Sequence, residues 1–297
     1  VRHRLIVAVP LVLSLALAGC SSSDEPKGPT LSPSRSSGGP SVAPSPTAAM
    51  EKVPTGVTVP LVRKGQLTVC QWGGGVPYLA TAAATGGTKA EGFDVELLTL
   101  VGQRLGVQPV IVEVDRTDIL AAQALGRKFC DLTAGQFFAL PEGDPEELPV
   151  DYTEPYFRRA ITILTADKSL TTLESLRGKR VAVESSSLLP DEVQAAGVQT
   201  TELDEAAIGA AINAGQFDAA LIDSGLAAHL QHEDKTGSLI VAGQFGDPGD
   251  VVFAVAEGNT VLREQVNAAL VDAGRNGHFR YAYSQWFAGE PALVPGS

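Results

Sequence analysis

The stretch Leu67–Ala80, LTVCQWGGGVPYLA, decides how the chain is read. Leu67–Val69 has the apolar, β-branched character of a short strand, and Gly73, Gly74 and Gly75 follow it closely. Glycines after a strand cradle a phosphate when Gly-Lys-Ser/Thr then opens a helix. Here Val76, Pro77 and Tyr78 follow, and a proline blocks helix continuation. The turn therefore reads as the wall of a cleft whose ligand approaches backbone, or as a plain surface turn.

Downstream, strands and helices alternate. FDVELLTLVGQRLG places Leu97, Leu98, Val101 and Leu105 at helical spacing, stopped by Gly106. PVIVEV is a β-branched strand, TDILAAQAL a helix stopped by Gly126, and CDLTAG the next strand. A second set follows: strand RRAITILTA, short helix TTLESLRG, strand KRVAVES, helices LPDEVQAAG and DEAAIGAAINAG, strand FDAALID, strand VVFAVAEG, and closing helices TVLREQVNAALVDAG and FRYAYSQWF. This order argues for two α/β units with mostly parallel sheets. Ligands of such folds sit in clefts at the carboxyl ends of strands.

Upstream, Arg2, His3 and Arg4 precede an apolar run from Leu5 to Ala18, then LAGC, Leu17–Cys20. The pattern is a secretory signal over residues 1–19, with an apolar run too short to span a bilayer comfortably. LAGC resembles a bacterial lipobox, which implies cleavage before Cys20 and acylation of its thiol; an ordinary signal peptide with an incidental cysteine is the plainer alternative. Residues 20–64, rich in Ser, Pro and Gly, are expected to form a disordered tether. The net charge is −12, from 22 Lys and Arg against 34 Asp and Glu, which argues against nucleic acid as a partner.

Eight segments in order carry a family resemblance: LTVCQWGGGVPY, EGFDVELLTLVGQRLGV, DILAAQAL, CDLTAG, VDYTEPYF, LESLRGKRVAV, FDAALID and YSQWF. Together they resemble the polar-amino-acid branch, family 3, of bacterial extracellular solute-binding proteins. The resemblance implies a two-lobed, periplasmic-binding-protein-like α/β fold of type II. Two crossing hinge strands are expected near Arg158–Ile163 and Gly249–Val255. Lobe 1 is then discontinuous, 65–157 with 252–290, and lobe 2 is 158–251. It also implies a monomer on the outer face of the cell membrane, handing a small solute to an ABC permease, with no cofactor, metal or catalysis.

Family members clamp the ammonium of an amino acid with an acid and its carboxylate with an arginine, and stack the side chain on aromatics. Asp223 stands where the acid is kept, and also reads as the N-cap of the helix that follows. The arginine is missing from its family position; Arg116, Arg158 and Arg159 are the cations that could replace it, and the last two also read as a solvated hinge face. Trp72 replaces a common acid, Gly75 a common aromatic, and Tyr78 keeps the aromatic after proline. Phe137 replaces a threonine. Ser186 and Ser187 offer hydroxyls and N–H groups to a carboxylate or simply cap a helix, and Glu184 precedes them. The expected ligand set is Trp72, Gly75, Tyr78, Arg116, Phe137, Glu184, Ser186, Ser187 and Asp223, which favours an amine or other cation; Trp72 and Phe137 also read as core. His229 and His232, three apart on a helix and near acids, read as a solvated helix end rather than as a metal site.

Cys70 ends the first strand and Cys130 begins the third, neighbours in a doubly wound lobe, and some family relatives carry both. A structural disulfide is expected. Two other classes stay open: an accessory or sensor protein docking on a partner with the same fold, and a lyase-type enzyme with Glu184 as general acid.

Overall fold

The computed structural model describes residues 43–71, 75–80, 89–114, 123–139, 148–185 and 189–297. Trp72, Arg116, Ser186, Ser187 and Cys20 lie outside these residues, as do the signal segment and residues 20–42 of the expected tether. Among the described residues no helix is long and apolar enough to cross a membrane.

The first lobe starts with β1 (Gln66–Gln71), α1 (Phe93–Leu105), β2 (Gln108–Glu113), α2 (Gln123–Gly126), β3 (Leu132–Phe138) and β4 (Val150–Tyr152). The chain crosses on β5 (Phe157–Thr165) into β6 (Val181–Glu184), α3 (Asp191–Ala195), β7 (Thr200–Leu203), α4 (Glu205–Asn213), β8 (Ala219–Asp223) and α5 (Ser224–Glu233). It returns on β9 (Ile240–Ala256) to α6 (Thr260–Asn276) and α7 (His278–Trp286). The sheet order is β2-β1-β3-β9-β5-β8-β6-β7, with β4 also on β9. β1 pairs in parallel with β2 and β3, and β6 with β7 and β8; β5 and β9 pair antiparallel between these two halves.

Parallel strands must be covered on both faces, so neighbouring residues serve different cores. In the second lobe, Ile163, Val181 and Leu221 pack on one face, while Leu164, Ala182 and Ile222 pack on the other with Ile208 and Leu226. In the first lobe, Leu67, Val69, Leu97, Phe253 and Phe279 form the main core. Helix α1 buries Phe93, Leu97, Leu98 and Val101 and turns left-handed at Gly106, as its spacing predicts. Phe93 anchors an aromatic cluster, with ring centroids 5.8 Å from Phe157, 5.5 Å from Phe279 and 5.3 Å from Phe287.

Cys70 and Cys130 form the expected disulfide, with Cα atoms 5.6 Å apart.

Several local expectations differ. VVFAVAEG reads as a strand near Val251, yet β9 begins eleven residues earlier, at Ile240. Its glycine-rich first half, with Gly243 and Gly246 at positive φ, is held extended by β5 through two register shifts. β4 and β7 are too short and too polar to stand out from the sequence, and they form because β9 and β6 pair with them. TTLESLRG shortens to a single 3-10 turn, Glu174–Leu176.

Residues 43–64, expected within the tether, instead run in irregular backbone along lobe 1. The Ala43 N–H donates to Ser284 Oγ at 2.9 Å, the Glu51 N–H to Asp272 at 2.8 Å and the Val62 N–H to Asp131 at 2.6 Å. Met50 is only 5% exposed, seated in the lobe 1 core. One buried apolar side chain and backbone bonds to fixed acceptors hold a segment whose composition alone argues for disorder.

Candidate solute cleft

Tyr78 is fixed by the loop that carries it. The Tyr78 and Leu79 N–H groups both donate to Gly75 O at 3.1 Å, and the first turn of α1 donates back, Phe93 N–H to Pro77 O and Asp94 N–H to Tyr78 O, each at 2.8 Å. Its ring lies 5.5 Å from Phe157 and 5.9 Å from Phe287. The hydroxyl is thereby aimed out of lobe 1.

Asp223 ends β8 and caps α5, as one of its two readings expects. Its Oδ1 accepts from the Gly225 and Leu226 N–H groups at 3.0 and 2.9 Å. The Tyr78 hydroxyl donates to the same oxygen at 2.7 Å. The approach is so close that a Cβ on Gly225 would stand 1.8 Å from that hydroxyl.

The second Asp223 oxygen belongs to Arg159, whose Nε donates to Oδ2 at 2.6 Å. The guanidinium carbon sits 5.2 Å from the centroid of Tyr78 and 5.2 Å from that of Phe138, within cation–π range of both rings. Arg158, one residue earlier on β5, is exposed and pairs instead with half-buried Asp250 at 2.7 Å. A cavity of about 30 Å³ remains beside the Arg159–Asp223 pair, lined also by Gly75, Pro77, Glu184, Glu205 and Leu226. Gly75 meets lobe 2 there, since a Cβ on it would lie 2.8 Å from Glu205 Oε1.

Charge in this slot is strongly biased. Burial works against the Arg159 charge, but Asp223, Tyr78 and Glu184 together outweigh it and hold the pKa above the ordinary arginine value. Burial first, then the Asp223 charge, pushes the Tyr78 hydroxyl well above the ordinary phenol. Glu184 is raised by burial and by Asp223; Glu205 is raised by burial and by Glu184. The geometry thus presents one cation and three acids in a largely desolvated slot between two lobes.

Of the residues expected here, Gly75, Tyr78, Glu184 and Asp223 line the same small cavity. Phe137 does not take the expected wall position: it packs with Cys70, Cys130 and Leu125, and its ring lies 6.2 Å from Tyr152. Successive strand residues face opposite sides, so Phe138 reaches Arg159 instead. Ser185, next to the serine turn, donates its N–H to Leu203 O at 3.2 Å. Glu205 was not legible as a site residue, because an acid after Asp204 reads as ordinary first-turn chemistry at a capped helix start. His229 is bonded to Trp286 O at 2.8 Å, and is less solvated than a free helix end. Among the described residues no group of three or more His, Cys, Asp or Glu is placed to hold a metal ion.

Two α/β lobes, a pair of shared strands and a charged slot where they meet define a hinged ligand-binding protein. The chain belongs to the bacterial extracellular solute-binding proteins, family 3, whose model matches residues 68–289. It is 28% identical over 204 residues to a probable amino-acid ABC transporter-binding protein of Haemophilus influenzae (strain ATCC 51907 / DSM 11121 / KW20 / Rd), covering 67% of this chain and 77% of that protein. Over 209 residues it is 25% identical to the L-cystine-binding protein TcyJ of Escherichia coli (strain K12), covering 68% of this chain and 76% of that protein. Its fold is similar to a polar amino acid ABC uptake transporter substrate binding protein from Streptococcus thermophilus, with a TM-score of 0.65 at 18% identity, covering 78% of this chain and 89% of that one.

Proposed function

We propose that the chain captures a zwitterionic amino acid or closely related amine in the interlobe cleft and delivers it to an ABC permease. The observation that carries this reading is the Arg159–Asp223 pair, a cation and an anion 2.6 Å apart at the meeting of the lobes. A solute ammonium takes Asp223 and its carboxylate takes Arg159, so one internal ion pair is exchanged for two. Tyr78 and Phe138 flank the guanidinium, and Glu184 and Glu205 make the lobe 2 wall acidic. Arg159 thereby supplies from the hinge strand the positive charge that the family places elsewhere. Hinge closure over β5 and β9 stores the binding energy as a shift between open and closed states, without chemical conversion. The relatives named above are binding proteins of amino-acid transport, which supports the same reading.

We also propose residues 65–157 with 252–290 and 158–251 as the two lobes, and Cys20 as a lipid anchor on the outer face of the membrane. Residues 43–64 then fix the anchor to lobe 1 and leave lobe 2 free to swing.

The test is a melting screen of residues 21–297 against amino acids, polyamines, betaines and organic acids. A solute at a hundred times its dissociation constant adds about 2.7 kcal/mol. Asp223→Asn keeps the helix cap and removes the charge, and is expected to abolish the response. If no amino acid or amine stabilises the protein, the transport reading falls and a docking role takes its place.

A further inference from the structure

Arg159 is held as a bound solute would be. Asp223, which it pairs with, belongs to lobe 2, and Tyr78 and Phe138, which flank it, belong to lobe 1. One cation therefore joins both lobes from a shared strand, between two aromatic faces and a carboxylate. The set is an acid and two rings, the usual cage for a guanidinium or alkylammonium group. The remaining cavity of about 30 Å³ beside it has room for water and not for a solute.

We infer that Arg159 is a built-in competitor that occupies the cation place of the cleft and makes the site select zwitterions over bare cations. This rests on the reading of Asp223 as the group that takes the solute's positive charge. A bare amine that enters breaks the Arg159–Asp223 pair and leaves a buried guanidinium without its carboxylate, which is costly. A zwitterion carries a carboxylate of its own for Arg159. The discrimination is set by what the wrong ligand leaves unpaired.

Arg159 also lines a second cavity, of about 130 Å³. Ser224, Gln244, Tyr283 and Glu290 border it and supply acceptors.

Methylguanidinium and n-butylammonium are the probes, each compared with sodium chloride at equal ionic strength. Wild type, Arg159→Ala, Arg159→Gln and Arg159→Lys are melted as residues 21–297. Wild type is expected to show no saturable response. Arg159→Ala and Arg159→Gln are expected to saturate at probe concentrations at least about tenfold below the highest at which wild type stays unresponsive, and to lose the response when Asp223→Asn is added. Arg159→Lys keeps a weaker, more compact cation and is expected to fold and respond in between. Equal responses in all four proteins overturn the inference, as does an absent response in folded Arg159→Gln. Should the two neutral variants fail to fold, an unresponsive Arg159→Lys counts against it. The two readings separate cleanly. A wild type that binds no amino acid while Arg159→Gln takes methylguanidinium sinks transport and the preference for zwitterions, and leaves Arg159 only as the occupant of the cation place; amino-acid binding with an inert Arg159→Gln sinks the competitor and leaves transport standing.

Discussion

The Tyr78 hydroxyl donates across the cleft to Asp223 Oδ1 at 2.7 Å, and so couples the loop after β1 to the start of α5. The two residues are 145 positions apart in the chain, and the bond ties two distant segments together. It is the most direct handle on closure.

Tyr78→Phe keeps the ring and its packing and removes that one donor. Asp223 retains two backbone N–H groups and Arg159, so the loss is expected to be about 1–2 kcal/mol, in the range of a bond to a charged acceptor. Urea unfolding measures it, and solution scattering should show a larger mean radius of gyration. A change within the error of wild type in both would remove Tyr78 from the closing mechanism.

Gly225→Ala tests the same contact from the other lobe. The methyl would stand 1.8 Å from the Tyr78 hydroxyl and 2.7 Å from its ring carbon, which closed lobes cannot tolerate. Gly225 is helical and lies at the lobe surface that faces Tyr78, so circular dichroism should be unchanged while solute affinity falls by at least about tenfold. Pairing it with Tyr78→Phe should recover part of the loss. Undiminished affinity in the single variant would mean that the closed contact is not needed for binding.

The acidic wall makes a signed prediction in pH. Glu184 and Glu205 are raised from an ordinary 4.5 by burial and then by neighbouring negative charge. A carboxylate raised in the folded state contributes its stability in full below the unfolded value and loses it as pH rises through the folded value. Glu205→Gln and Glu184→Gln should therefore stabilise the protein at neutral pH, by roughly 0.5 kcal/mol after solvent screening, and the gain should vanish near the bottom of the carboxylate range. Chemical denaturation along a pH series reads this out. A gain that grew towards acid pH would have the wrong sign for this account.

Reduction of Cys70–Cys130 tests the lobe 1 frame independently of the cleft. The bridge closes a loop of 60 residues, and the chain-entropy estimate for that length is about 4 kcal/mol. Reductant or a Cys70→Ser, Cys130→Ser pair should lower the melting temperature without altering the pH response of Glu184 and Glu205. If stability is unchanged, the bridge does not constrain the unfolded chain.

Much of the architecture could be read without coordinates, because local chemistry and burial agree along it. Leu97, Leu98 and Val101 at helical spacing with Gly106 beyond them require only the helix's own geometry. The runs before Cys70 and through FDAALID are apolar because both of their faces are covered. The pairing of Cys70 with Cys130 likewise follows once the two strands are neighbours.

Tertiary structure decided what the sequence left open. The first half of β9 is glycine-rich and becomes a strand only because β5 lies beside it. Met50 and its neighbours are polar-looking tether until lobe 1 offers them a groove and acceptors. At the cleft, the identity of the cation rested on a single alternation along β5: Arg158 turns to Asp250 and solvent, Arg159 to Asp223 and the two rings. The same alternation on β3 sent Phe137 to the core and Phe138 to Arg159. Composition and period determine which segments form and which faces they bury. Which side chain meets which across the cleft depends on register between strands far apart in the chain, and only the assembled sheet sets that register.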